Sequence, residues 1–188
     1  MIEIHEVSSD LFIRGLTNLK TLMRKAEEHA RMHEGERPLL TARLVPAEAM
    51  LPSVHPSDIH LYTLATQIHW AAEGARLAVS RLAGQSGVPM PSTEASFAEL
   101  HRHLDFAITF IGQVPREDLL SGLGRTIVIE RPDGAILSGG AQFLIAYSIP
   151  HFYYHVTAAY SILRNAGVAL RMADFLGDWG ETTARQIE

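Results

Sequence analysis

An all-α fold, a four-helix bundle with one small β-hairpin before its last helix, is predicted by three features of the sequence. Apolar residues recur at alternating spacings of four and three along several long stretches, which places them on one side of a helix. Glycine and proline interrupt those stretches where helices would have to end. One segment, residues 125–140, switches to a β-branched run, a turn and a second short apolar run. The 188 residues, 47% hydrophobic and 20% charged, are read as a single domain spanning 1–188, enough chain to bury a substantial core.

The first helix is read from Ser8 or Ser9, whose hydroxyls suit the free amides of a first turn, to about His33, ahead of Gly35 and Pro38. Its Phe12, Leu16, Leu19, Met23, Ala26 and Ala30 form a seam for bundle neighbours. The following RPLLTARLVPAEAMLPSVHP carries four prolines and only short apolar clusters, and is read as a loop with one or two helical turns. Pro56, Ser57 and Asp58 signal a second helix that runs to Gly84, with Leu61, Ala65, Ile68, Ala72, Ala75, Val79 and Leu82 as its stripe. Its alanines let a neighbouring helix approach closely. GQSGVPMPS is a connector, and a third helix starts near Ser92 or Thr93, or at Ser96 if the start frays. Phe97, Leu100, Leu104, Ala107, Ile108 and Ile111 give that helix its apolar face before an end around Gly112. Residues 126–129 and 135–137 flank the turn RPDG and are read as a hairpin. The last helical region begins near Ala141, meets Pro150 as a kink or a fresh start and stops at Gly167, leaving Phe175, Leu176 and Trp179 to pack a short tail.

Composition excludes several function classes. With no cysteine there is no disulfide, no Cys-type zinc site, no iron–sulfur cluster and no thiol nucleophile, so any metal has to be held by His, Asp or Glu. A net charge of −5 with no Lys/Arg run argues against a nucleic-acid surface. No apolar stretch is long enough for a transmembrane helix, and MIEIHEVSSD lacks the basic start and apolar run of a signal peptide, so the expectation is a cytoplasmic protein with no membrane partner. A small molecule or a second protein remains as partner. The aromatic and aliphatic content of the last helix and tail, with the prevalence of symmetric dimers, points to a homodimer.

The stretches PHFYYHVTAAYSILRNAGV and ADFLG resemble an uncharacterised family of bacterial and fungal proteins within the DinB/YfiT-like superfamily. The matching residues are Pro150, Phe152, His155, Val156, Thr157, Ala159, Tyr160, Ile162, Leu163, Arg164, Gly167, Val168, Asp174, Leu176 and Gly177. ARLVPAEAML at 42–51 and ARLAVSRLAG at 75–84 are also similar to family segments, so the resemblance covers most of the chain. It implies a DinB-like four-helix bundle. It also implies kinship with proteins that hold a divalent metal through one His of helix two and a His or Glu paired with a His at i, i+4 on the last helix. Some of those proteins act in thiol-dependent transfer or isomerisation. The chain departs from the family at His151, where asparagine is usual, at Arg171 and Met172, and at Glu48, which displaces the usual acidic residue after Pro46.

His151 and His155 are four apart on the last helix, so one divalent ion, zinc or nickel, can accept both imidazoles with little backbone strain. His69, in the middle of helix two, is the expected third ligand, and Glu73, one turn on, is the expected orienting group or catalytic base. An open fourth position would hold water. The spacing alone is weak: ten histidines placed at random give about 0.5 such pairs, and His29 and His33 repeat the spacing at the end of helix one. His155 also suits a buried structural histidine that hydrogen-bonds across the bundle.

Phe152, Tyr153, Tyr154 and Tyr160 are read as core and interface aromatics, His101 and His103 as solvated, and Arg164 as a partner for the last helix's terminal carbonyls. No phosphate-binding loop or nucleophile elbow is present. Two functions follow. One is a DinB-like, divalent-metal-dependent enzyme acting on a small molecule; the other is a non-catalytic, dimeric bundle that binds a ligand or a protein.

Overall fold

A computed structural model of the chain describes residues 7–33, 35–44, 62–85, 87, 90, 96–131 and 134–178. Its elements are α1 (Ser9–Met32), α2 (Glu36–Leu40), α3 (Leu64–Leu82), α4 (Phe97–Gln113), α5 (Arg116–Leu123), β1 (Thr126–Arg131), β2 (Gly134–Gly139) and α6 (Gly140–Gln142). A π-helical segment (Phe143–Ser148) then leads into α7 (Ile149–Asn165), and α8 (Met172–Leu176) follows. The expected four long helices with one hairpin are α1, α3, α4 and α7 with β1–β2.

The predicted seam of α1 is buried along its length, from Phe12 to Ala30. Helix α3 is buried nearly all round, polar residues included, so it forms the centre of the bundle. It packs chiefly on α7 and α4, while α1 packs on α4 and closes the bundle. Phe12 and Phe152 meet edge to face at 5.1 Å between ring centroids, and each contributes about 1.5–3 kcal/mol by leaving water. Gly15 makes that meeting possible, because a Cβ there would lie 2.6 Å from the Phe152 ring.

The helix ends follow local chemistry where they are described. Ser96 caps α4, its hydroxyl accepting from the Glu99 amide at 3.2 Å; the alternative starts at Ser92 and Thr93 lie outside the described residues. The expected start of helix two at Pro56–Asp58 also lies outside them. Within them Thr63 is the cap, and its hydroxyl accepts from the Thr66 amide at 3.4 Å. Gly84 ends α3 at φ +72°, a conformation that favours glycine, and Gly167 ends α7 at φ +89°. The Arg125 guanidinium donates to the Leu82 carbonyl at 2.7 Å, satisfying one open acceptor of α3's last turn.

Two elements were not expected. Helix α5 is too short to show a period, and its place is decided by backbone contact: a Cβ on Gly122 would overlap the Leu82 carbonyl, and one on Gly140 would overlap the Gly122 carbonyl. These glycines press α5 and the end of the hairpin onto the last turn of α3. The π-helical segment is the second. Proline lacks an amide and crowds the carbonyl four residues back, so Pro150 predicts a kink or a new start. Pro150 does stand in the first turn of α7, and the new feature is the widened turn Phe143–Ser148 that leads into it, with the Ser148 hydroxyl donating to the Phe143 carbonyl at 3.0 Å.

The hairpin is antiparallel, paired from Thr126 with Gly139 to Arg131 with Gly134. Along β1 buried Ile127 alternates with exposed Val128, whereas β2 is exposed almost throughout, Leu137 opposite Val128 included. Pro132 and Asp133 of the predicted turn lie outside the described residues. The tail docks on α1: the Asn18 side-chain amide donates to the carbonyls of Phe175 and Leu176 at 3.1 and 2.7 Å, and Lys25 pairs with Asp174 at 2.7 Å. Phe175 packs on Tyr160 while Leu176 stays exposed, and Trp179 lies outside the described residues. Among the described residues no helix is long and apolar enough to cross a membrane.

Candidate functional site

Helix α3 turns two stripes in different directions. Gln67, Trp70, Gly74, Leu77 and Arg81, at spacings of three and four, face α7 and the π-helical segment. His69, Glu73, Arg76 and Ser80, at the same spacings, face α4 and the connector after α3. At 100° per residue, positions 67 and 69 point nearly opposite ways, and this decides which histidine can reach α7.

His151 and His155 do come together. Their Nε2 atoms are 3.3 Å apart, and Gln67 of α3 contacts His155 Nδ1 through its side-chain carbonyl oxygen at 2.8 Å. A carbonyl oxygen only accepts, so Nδ1 of His155 carries a proton and its Nε2 offers a lone pair, to which His151 Nε2–H donates. Burial, reinforced by the neighbouring His151, pushes His155 down to about 4, and burial also lowers His151, so both rings are neutral at pH 7. The ring of His151 lies against Gly74, where a Cβ would be 2.9 Å from Nδ1. Tyr147, from the widened turn, stacks on it at 5.4 Å.

The other two expected site residues lie on the α4 side. His69 is buried, its ring against Trp70 and, at 4.7 Å between centroids, against His103. His103 is therefore not solvated as its sequence neighbourhood suggested, because it sits on the inner face of α4; His101 pairs with Glu27 at 2.9 Å. Glu73 is fully buried and accepts twice from Arg76, at 2.9 and 2.8 Å, and once from the Met90 amide at 2.8 Å. Burial would raise its pKa, but the Arg76 hydrogen bonds, the Met90 amide and the charges of Arg76 and His103 more than offset that, and the carboxyl is held below its ordinary value. A carboxylate so engaged is an anchor for the connector rather than a free base. Among the described residues, no three His, Asp or Glu side chains form a group arranged to hold a metal ion.

The pair itself fits a divalent ion in three respects. Two nitrogens each 2.0–2.1 Å from one tetrahedral ion are about 3.3–3.4 Å apart, which is the observed bite. Both rings are neutral, as ligands must be. Gln67 holds the far nitrogen of His155 and so fixes which nitrogen faces the pair.

Beside His151 lies a cavity of about 120 Å³ bounded by α3, β1, the π-helical segment and α7. Gln67, Tyr147, His103 and Arg81 were not singled out from the sequence. The signal that could have found two of them, Gln67 and Arg81, was their recurrence with Trp70 and Gly74 on one side of helix two. The aromatics divide as expected only in part: Phe152 is core, but Tyr154 is largely exposed, and Arg164 lies over the Tyr160 ring at 5.9 Å.

Comparisons with known proteins agree with this architecture. Among solved structures the chain is similar to a DinB family member protein from Shewanella denitrificans, with 26% identity, a TM-score of 0.79 and coverage of 95% of this chain and 94% of that one. No curated protein matches the chain. Residues 4–176 match the family described as Domain of unknown function (DUF1993), and the chain belongs to that family.

Proposed function

We propose that this DinB-like protein binds one divalent ion, zinc or nickel, through His151 and His155, and that it acts on a small molecule held in the adjoining cavity. The observation that carries this reading is the 3.3 Å approach of the two Nε2 atoms, which matches the bite of a tetrahedral ion. A bound divalent ion would supply Lewis-acid polarisation of a substrate oxygen or an activated water. His69 and Glu73 are left out of the ligand set, since each is engaged on the α4 side.

The chain's own residues have definite tasks in this reading. Gln67 orients His155 by accepting from Nδ1–H, and Gly74 leaves the room in which His151 sits. For both Nε2 atoms to face an ion, the proton on His151 Nε2 moves to Nδ1, on the Gly74 side. Trp70, Phe143 and Tyr147 exclude water from one side of the site.

Elemental analysis of protein purified without a histidine tag tests this. About one equivalent of zinc or nickel is expected, falling in His151→Asn and His155→Gln. Less than about a tenth of an equivalent, with no uptake on titration, removes the proposal.

A second reading, a non-catalytic dimeric bundle, draws support from the exposed pair Val128 and Leu137 on the outer face of the hairpin. It predicts a dimer that persists in chelator and dissociates when Leu137 is replaced by aspartate; sedimentation as a monomer at micromolar concentration counts against it.

A further inference from the structure

The cavity beside His151 carries a cation that the metal reading does not use. Arg81 lies in the last turn of α3, partly buried, on the stripe that also supplies Trp70, Gly74 and Leu77. Among the described residues its side chain has no hydrogen-bond, ion-pair or ring partner. Two other arginines near α3 are engaged: Arg76 with Glu73, and Arg125 with the Leu82 carbonyl. The rest of the lining is mostly apolar and aromatic, from Trp70, Leu77, Phe143 and Tyr147.

A guanidinium with apolar walls beside it is under-hydrated and has five donors in a fork that matches a carboxylate. The size of the space limits what such a carboxylate can carry. An engineered cavity of about 150 Å³ holds benzene. This one, at about 120 Å³ with a mouth to solvent, suits a body of roughly four to six carbons. The partial negative charge at the end of α3 would repel an anion, so selectivity for one has to come from Arg81.

We propose that this cavity binds a small monocarboxylate, with the carboxylate on Arg81 and the hydrocarbon body against Trp70, Leu77 and Phe143, one end lying beside His151. This deepens the reading of the cavity as the substrate side of the His151–His155 site and rests on it. It predicts a substrate class: a short aliphatic or monocyclic acid rather than a neutral or cationic molecule. No bond is made or broken in binding.

Calorimetric titration of the full chain in EDTA with benzoate and with benzamide, nearly equal in shape, tests the idea without any metal. Benzoate is expected to bind at least about tenfold more tightly than benzamide. Arg81→Met should bring that ratio to about one, and Arg81→Lys should keep part of it, because a point charge replaces the fork. Equal affinities in the unaltered protein, an unchanged ratio in R81M, or no saturation by benzoate up to about 50 mM overturns the proposal. The ratio in the unaltered protein stands even if a variant folds poorly. Zinc uptake measured on the same preparations after the EDTA is removed separates the two claims. Uptake without benzoate preference sinks the carboxylate site alone, and preference without uptake sinks the metal reading alone.

Discussion

Replacing Glu73 by glutamine separates an anchor from a catalytic base. The carboxylate is fully buried and takes three hydrogen bonds, two from a buried guanidinium and one from the Met90 amide. Glutamine keeps the volume and one acceptor oxygen but leaves Arg76 charged and uncompensated in the interior. Removing one partner of a buried ion pair costs about 3–5 kcal/mol. The Phe110 ring, 5.5 Å from the guanidinium carbon, faces Arg76 in both proteins and so leaves this difference unchanged. A loss of about 3 kcal/mol is expected, which for a chain of this size lowers Tm by about 6–12 °C. Urea unfolding followed by circular dichroism at pH 7 in EDTA measures it, and zinc uptake by the folded variant should be unchanged. Replacing both residues by apolar ones, Glu73→Leu with Arg76→Met, should cost much less than the sum of the single changes, because no charge is left behind. A loss below about 1 kcal/mol for E73Q, or additivity in the double variant, would refute the reasoning. The pH dependence has a definite sign. The folded pKa of Glu73 is lowered, so its contribution is present above the unfolded carboxyl value and is lost as pH falls through the folded one.

The metal-free protein should also lose stability as pH falls from 6.5 towards about 4, by at most about 3 kcal/mol, since an unfolded His155 takes up its proton first; His155→Gln should flatten that part of the profile in a urea series, and an unchanged slope rules the cause out. In Gly74→Ala the added methyl displaces the His151 ring, so metal uptake should weaken by about tenfold or more while Tm changes little; equal uptake would mean that the Nε2–Nε2 approach is not what binds the ion. Gly122→Ala pushes α5 off the Leu82 carbonyl and should cost about 1–3 kcal/mol by chemical denaturation, and a neutral result would mean that this backbone contact is not required. Phe152→Ala should cost about 3–5 kcal/mol, the largest of the apolar truncations in α7, and a loss under about 1 kcal/mol would contradict its place in the core.

The sequence by itself determined the long helices, most of their ends and the hairpin, because periodicity, caps and turn glycines act within a few residues of chain. Ser96, Gly84 and Gly167 were legible for that reason, and so was the His151–His155 pair, whose spacing places both rings on one side of any helix. What faces that pair was not legible. The rotation of α3 about its own axis turns Gln67 and Gly74 towards α7 and sends His69 and Glu73 to α4, and nothing local sets that rotation. It goes with contacts to distant segments, such as Gly122 against the Leu82 carbonyl at the end of α3 and the His151 ring against Gly74. The π-helical segment was equally hidden, since Pro150 marks where α7 begins but not the widened turn that leads into it. Tertiary structure thus decided that the first histidine of the pair lies next to a cavity lined by Arg81, and that the expected third ligand and base face the opposite side of the helix.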